Sequence, residues 1–206
     1  MTISCIILAS GLSKRYGPEN KLLEIIKGKP LFEHLFAVLP LEEFRETVVV
    51  TAYPEIEEFA KKQKLLLIKN PHPELGISES IKLGLEYITR SSPKEKLRGG
   101  DELPIDACMF CVCDQPGLKK ATLENMINEY KTRNESIILA LSYKGERGNP
   151  VIFPRSLFPE LLALTGDTGG REVIKRHEEM LHCHEAQGGE ELRDIDRKGL
   201  NLSRVL

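Results

Sequence analysis

The sequence predicts an α/β fold, three layers deep, around a mostly parallel sheet. Three observations predict it. Apolar or β-branched runs at 3–8, 47–51, 65–68, 107–113 and 137–141 each have the length of a buried strand. Segments with apolar residues at helical spacing separate them, and alternation of strand and helix gives a parallel sheet covered on both faces. The first run also empties into small residues, Ala9-Ser10-Gly11, as strands of such sheets do where they open into a glycine loop.

Taken in order, 30–39 carries Leu31, Leu35 and Val38 at helical spacing, with Pro30 suited to the first turn. The β-branched run 47–51 is the second strand. A charged helix over 55–64 presents Ile56, Phe59 and Ala60 on one face, and 65–68 is the third strand. Asn70-Pro71-His72-Pro73 breaks the pattern before a helix over about 76–88. The stretch 91–104 is charged, rich in Gly and Pro and without hydrophobic period, and is expected to be a mobile surface loop within one domain spanning 1–206. The strand 107–113 ends in Asp114-Gln115-Pro116. A helix over 121–130, strands at 137–141 and 151–153, helices over 157–164 and 169–177, and a short strand at 180–184 complete the prediction. No internal repeat is visible.

Composition narrows the class. A chain of 206 residues with 41% hydrophobic and 29% charged residues is ordinary for a soluble domain. The net charge of −2 gives no general reason to expect nucleic acid or a membrane as partner. No apolar stretch approaches the roughly 18 residues of a membrane span. The first apolar run is short and no basic region precedes it, so no signal peptide is expected. Five cysteines without regular spacing fit reduced thiols in a cytoplasm.

The candidate chemistry begins at the first loop. Small residues let backbone N–H groups approach a ligand, and the cations Lys14, Arg15 and Lys21 suit phosphate oxygens. A P-loop is excluded, because five residues separate Gly11 from Gly17 and Pro18 follows. The dinucleotide fingerprint is absent as well. By residue type alone, a polar turn with solvated cations remains open. Asp114 follows a buried strand and shares a sheet edge with Gly11 if both strands are parallel. A carboxylate there suits Mg²⁺, which takes one or two carboxylates plus phosphate oxygens; a loop or capping role is the alternative. Asp194-Ile195-Asp196 points two carboxylates to one face of an extended segment. Gly76, Ser78 and Ser80 stand at a helix start, where exposed N–H groups can meet a ligand or Ser78 can simply cap.

Two glycine-rich stretches carry an arginine suited to an anion, Gly145-Glu146-Arg147-Gly148-Asn149-Pro150 between two strands and Gly166-Asp167-Thr168-Gly169-Gly170-Arg171 before a helix. Ordinary turns explain them equally well. Cys108, Cys111 and Cys113 have a zinc-like spacing, but on a buried strand they read as small hydrophobes, with Cys111 and Cys113 on one face and Cys108 on the other. His182 and His184 share a strand face without an evident third metal ligand.

One resemblance is specific. Leu8-Ala9-Ser10-Gly11-x-Ser13-x-Arg15-x-Gly17-x-x-x-Lys21-Leu22-Leu23, followed by Gly28-Lys29-Pro30-Leu31, resembles the signature of the MobA-like NTP transferases, and most closely their molybdenum cofactor cytidylyltransferase branch. The resemblance implies a three-layer, Rossmann-like nucleotidyltransferase. Leu8, Ala9, Ser10 and Gly11 would wrap the nucleotide, with Gly76 and Ser80 as a second nucleotide motif. Arg15 and Lys21 would hold the triphosphate, and together with Asp114 form the catalytic set. Asp114 and Asp196 would bind Mg²⁺. Gln115, Arg147, Gly148, Asn149, Pro150, Gly169, Gly170 and Arg171 would face the acceptor. The implied reaction joins CTP and molybdopterin cofactor to give the cytosine dinucleotide and pyrophosphate, with a molybdenum hydroxylase as recipient. A guanylyltransferase or sugar-phosphate nucleotidyltransferase of the same fold is one alternative, and a non-catalytic nucleotide- or cofactor-binding chaperone for a molybdenum enzyme is another. The chain departs from the family pattern at Ser10, Tyr16, Asn149 and Arg197-Lys198.

Overall fold

The computed structural model describes residues 1–13, 16–17, 19–90, 105–133 and 136–195. Arg15, Asp196 and the stretch 91–104 lie outside the described residues. The chain runs β1 (Ile3–Ala9), β2 (Ile25–Ile26), β3 (Lys29–Pro30), α1 (Leu31–Val38), β4 (Thr47–Thr51), α2 (Pro54–Lys62), β5 (Leu66–Lys69), α3 (Ile77–Arg90), β6 (Ala107–Val112), α4 (Lys120–Thr132), β7 (Ile138–Tyr143), β8 (Glu146–Pro154), α5 (Phe158–Leu162), α6 (Gly170–Arg176) and β9 (Leu181–Glu185). Among the described residues no helix is long and apolar enough to cross a membrane.

Seven strands form the central sheet in the order β5-β4-β1-β6-β8-β7-β9. Pairing is parallel throughout except at β8, which runs against both β6 and β7. Side chains alternate between two cores. Cys5, Ile7 and Ala9 pack with Leu35 of α1, Ile56 of α2 and Leu123 of α4 on one face. Ile6, Cys108 and Phe110 pack with Leu85 of α3, Phe158 of α5 and Val173 of α6 on the other. The sheet is thus the middle of three layers. Burying each Leu, Ile, Val or Phe side chain among them stabilises the fold by about 1.5–3 kcal/mol. Gly84 lets α3 lie close to the sheet, since a Cβ there would stand 2.6 Å from Ile6. The four strand cysteines are buried free thiols divided between the faces as alternation requires, while Cys183 is exposed.

Several expectations need correction. The stretch 146–150 is not a connection between strands. Lys144 and Gly145, at φ 50° and 84°, make a two-residue turn of the kind that suits the twist of a hairpin, so the chain re-enters the sheet at Glu146. β8 therefore spans Glu146–Pro154 and not 151–153 alone. The register shifts at Ala140/Leu141, which places Asn149 and Pro150 in an irregularity of β8, where a residue without an N–H is tolerated. Ser78 is no N-cap: it lies inside α3, whose start is preceded by a 3-10 turn at Pro73–Leu75. The helix expected over 157–164 is a 3-10 turn, Arg155–Leu157, followed by the short α5. The β2–β3 hairpin was not anticipated, because two-residue strands leave no periodic signal.

Candidate active site

Parallel pairing delivers three strand ends to one edge. Ala9 is in register with Thr51, and Leu8 with Val112, so the glycine loop, the end of β4 and Asp114 become neighbours. The end of β4 then pins the loop. Thr51 Oγ1 donates to the Ala9 carbonyl at 2.9 Å, Ser10 Oγ to the Val50 carbonyl at 3.1 Å, and the Tyr53 hydroxyl to the Gly11 carbonyl at 2.6 Å. The buried Ser10 hydroxyl is turned into the sheet, which leaves the backbone of that residue to meet a ligand. Burial pushes the Tyr53 phenol above its ordinary pKa, so it remains a proton donor near neutral pH. Gly17 has φ 122°, a conformation that favours glycine.

Lys21 opens a 3-10 turn, Lys21–Leu23, capped by Asn20 Oδ1, which accepts from Leu22 N–H at 3.0 Å. Its Nζ reaches Asp114 Oδ2 at 2.6 Å, with the two side chains only 16% and 18% exposed. Asp114 Oδ1 is buried and has no partner among the described residues. A buried carboxylate oxygen without a donor is costly, and a hard divalent cation is the kind of ligand that satisfies it. Among the described residues no three His, Cys, Asp or Glu gather to enclose a metal alone. The Asp114 carbonyl accepts from Ile195 N–H at 3.0 Å. Position 196 lies outside the described residues, but the residue before it is tied to Asp114. Asp194 is exposed.

A cavity of about 540 Å³ opens among β1, α3, β6, β8 and α6. Leu8, Ile77, Ile81, Phe110 and Phe153 are among its apolar lining, and Arg147, Gly148, Asn149, Gly170 and Arg171 contribute polar groups and backbone. The 76–80 and 166–171 stretches, far apart in sequence, are in contact. Gly76, at φ 86°, would carry a Cβ 2.5 Å from the Gly166 carbonyl, and Ser78 N–H donates to that carbonyl at 3.3 Å. Gly170 lies against the Phe153 ring, at 2.8 Å from an added Cβ. Gly169, the N-cap of α6, stands over Ile77.

Other residues singled out by sequence serve the scaffold. Ser80 is buried and Asn70 Nδ2 donates to its hydroxyl at 3.2 Å. Gln115 is buried outside the cavity lining; its Nε2 donates to the Leu192 carbonyl at 3.2 Å, and its Oε1 has no partner among the described residues. His184 pairs with Glu129 of α4 at 2.7 Å, and His182 with Arg133, the C-cap of that helix, at 3.2 Å. Thr51, Tyr53 and Asn70 were missed as site-forming residues. The only signal was a hydroxyl or amide at the end of a predicted strand.

A family model described as MobA-like NTP transferase domain matches residues 5–180. Among solved structures, a nucleotidyl transferase from Methanothermobacter superposes with TM-score 0.74 at 21% identity, covering 95% of this chain and 92% of that one. Rv0371c from Mycobacterium tuberculosis H37Rv gives 0.71 at 19% identity, covering 96% and 94%. A manganese complex of Rv0371c gives 0.66 at 18% identity, covering 91% and 90%. At these identities the likeness establishes the fold, a Rossmann-like nucleotidyltransferase sheet flanked by helices. Among curated proteins nothing matches.

Proposed function

The chain belongs to the MobA-like NTP transferase family, and on that premise we propose that it moves CMP from CTP to the phosphate of molybdopterin cofactor and releases pyrophosphate. The observation that carries the reading is the Lys21–Asp114 pair, with one Asp114 oxygen buried and unpartnered, at the edge of the sheet where the glycine loop opens.

A phosphate oxygen of the acceptor attacks the α-phosphorus of CTP. The bond from that phosphorus to the bridging oxygen breaks, and pyrophosphate leaves with the electron pair. No covalent enzyme intermediate is needed, and positioning with electrostatic stabilisation supplies most of the acceleration. Lys21 and Arg15 hold the triphosphate and offset its charge, while the loop Leu8–Gly11, pinned by Thr51 and Tyr53, orients the nucleotide. Asp114 and Asp196 would hold Mg²⁺, which when bound neutralises phosphate oxygens beyond the reach of the cations. The manganese complex of Rv0371c supports a divalent ion in this role.

The acceptor enters the cavity. Its apolar lining suits a flat ring system, and Arg147 and Arg171 suit the acceptor's phosphate. Gly148 and Asn149 of β8, with Gly170 at the start of α6, line the same cavity, and Pro150 and Gly169 flank them in sequence. The product passes to a molybdenum hydroxylase in the cytoplasm.

Pyrophosphate release with each of the four nucleoside triphosphates, with and without molybdopterin cofactor, tests this assignment. Release is expected with CTP and only when the cofactor is present. A clear preference for GTP moves the chain to guanylyl transfer. Absence of release in every combination contradicts catalysis on this acceptor.

A further inference from the structure

Glu191 is a carboxylate with 0% exposure, and the transfer chemistry makes no use of it. An ionised carboxylate persists in such a place only where donors replace its water. Its Oε2 accepts from Lys119 N–H at 3.3 Å and its Oε1 from Gln187 N–H at 3.0 Å. The Lys119 ammonium stands 3.8 Å from Oε1. Lys119 is the N-cap of α4, a helix of 13 residues without a side-chain cap of its own. Glu191 therefore also answers the positive end of that helix.

The segment that Glu191 fastens, 186–195, lies as a strap on the loop bearing Asp114. Ala186 N–H donates to the Ser142 carbonyl at 2.7 Å at one end, and Ile195 N–H to the Asp114 carbonyl at 3.0 Å at the other. Between them, Gln115 Nε2 donates to the Leu192 carbonyl at 3.2 Å. Gly117 lies so close to the Glu190 carbonyl that a Cβ would overlap it. Glu191 is the buried anion in the middle of this strap, joining it to the start of α4.

We propose that Glu191 is a positioning residue: by locking the strap 186–195 to the loop 114–119, it fixes the Asp114 carboxylate for a divalent cation. This role rests on the metal reading given above. Glutamine at 191 has the same shape but sets an amide NH₂ against one of the two backbone donors.

The test is a titration of MnCl₂ into the whole protein with CTP present and no acceptor, read by the electron paramagnetic resonance of free Mn²⁺. Glu191→Gln is expected to bind Mn²⁺ about tenfold more weakly, the scale of loss on removing outer support from a metal ligand. Its affinity for CTP in EDTA should equal that of the wild type. Lys119→Gln should bind Mn²⁺ as the wild type does, because the lock is made by N–H groups. A folded Glu191→Gln with wild-type Mn²⁺ affinity overturns the proposal, and so does an equal loss of metal-free CTP affinity. Hydrogen exchange on the wild type decides the matter if the variant does not fold. Mn²⁺ with CTP should slow exchange over 186–195 and 114–119 together, and slowing at 114–119 alone overturns the role. A wild type that binds no Mn²⁺ beside CTP overturns the metal reading itself, a distinct outcome.

Discussion

Lys21 and Asp114 stand 93 positions apart in the chain and 2.6 Å apart in the fold. One follows the glycine loop and the other follows β6, so parallel pairing of β1 with β6 makes them neighbours. The cation proposed to bind phosphate is thereby paired with the carboxylate proposed to bind a metal, and each limits the charge the other leaves in a largely buried site.

Lys21→Met should therefore cost turnover more than fold. Loss of a charge-assisted contact to the triphosphate is worth about 2 kcal/mol or more, roughly thirtyfold in kcat/KM. Arg15→Ala should lose a similar factor. Steady-state kinetics with CTP check both, and wild-type kinetics in either variant would remove that residue from the mechanism.

Tyr53→Phe removes the hydroxyl that holds the Gly11 carbonyl and little else. A hydrogen bond of about 1 kcal/mol corresponds to roughly a fivefold rise in KM for the nucleotide, with kcat nearly unchanged. Unchanged KM would mean that the loop holds its shape without this contact.

The cysteines offer a test of the core. Burial pushes the thiols of Cys5, Cys108 and Cys113 up, and thiolate rather than thiol is the reactive form. A thiol reagent should modify the exposed Cys183 alone in the folded protein and the remaining cysteines only after denaturation. Rapid modification of more than one thiol before unfolding would contradict the packing of β6 against β1.

Most strands were legible because burial on both faces leaves apolar runs with clear ends, as at Ile3–Ala9 and Ala107–Val112. Of Glu146–Pro154 only 151–153 was, since Arg147-Gly148-Asn149-Pro150 has the composition of a turn and its first part is drawn into the sheet only by pairing with β7. Asp114 could be singled out because it follows a buried strand at the same sheet edge as the glycine loop. Tyr53 and Glu191 could not. A single hydroxyl carries no pattern, and Glu190-Glu191 in a charged run reads as solvated until Lys119 and Gln187 close around the second carboxylate. The contact between Gly76 and Gly166 depends on tertiary packing that no local spacing encodes.

The central claim is that Asp114 and Asp196 serve one divalent ion. Its most direct test is a double-mutant cycle on kcat/KM with Asp114→Asn, Asp196→Asn and the pair. Residues that act through one ion are non-additive, so each single variant should lose most turnover and the double variant should be no worse than the poorer single. Losses that multiply in the double variant, or an Asp196→Asn enzyme as active as the wild type, would contradict the shared ion.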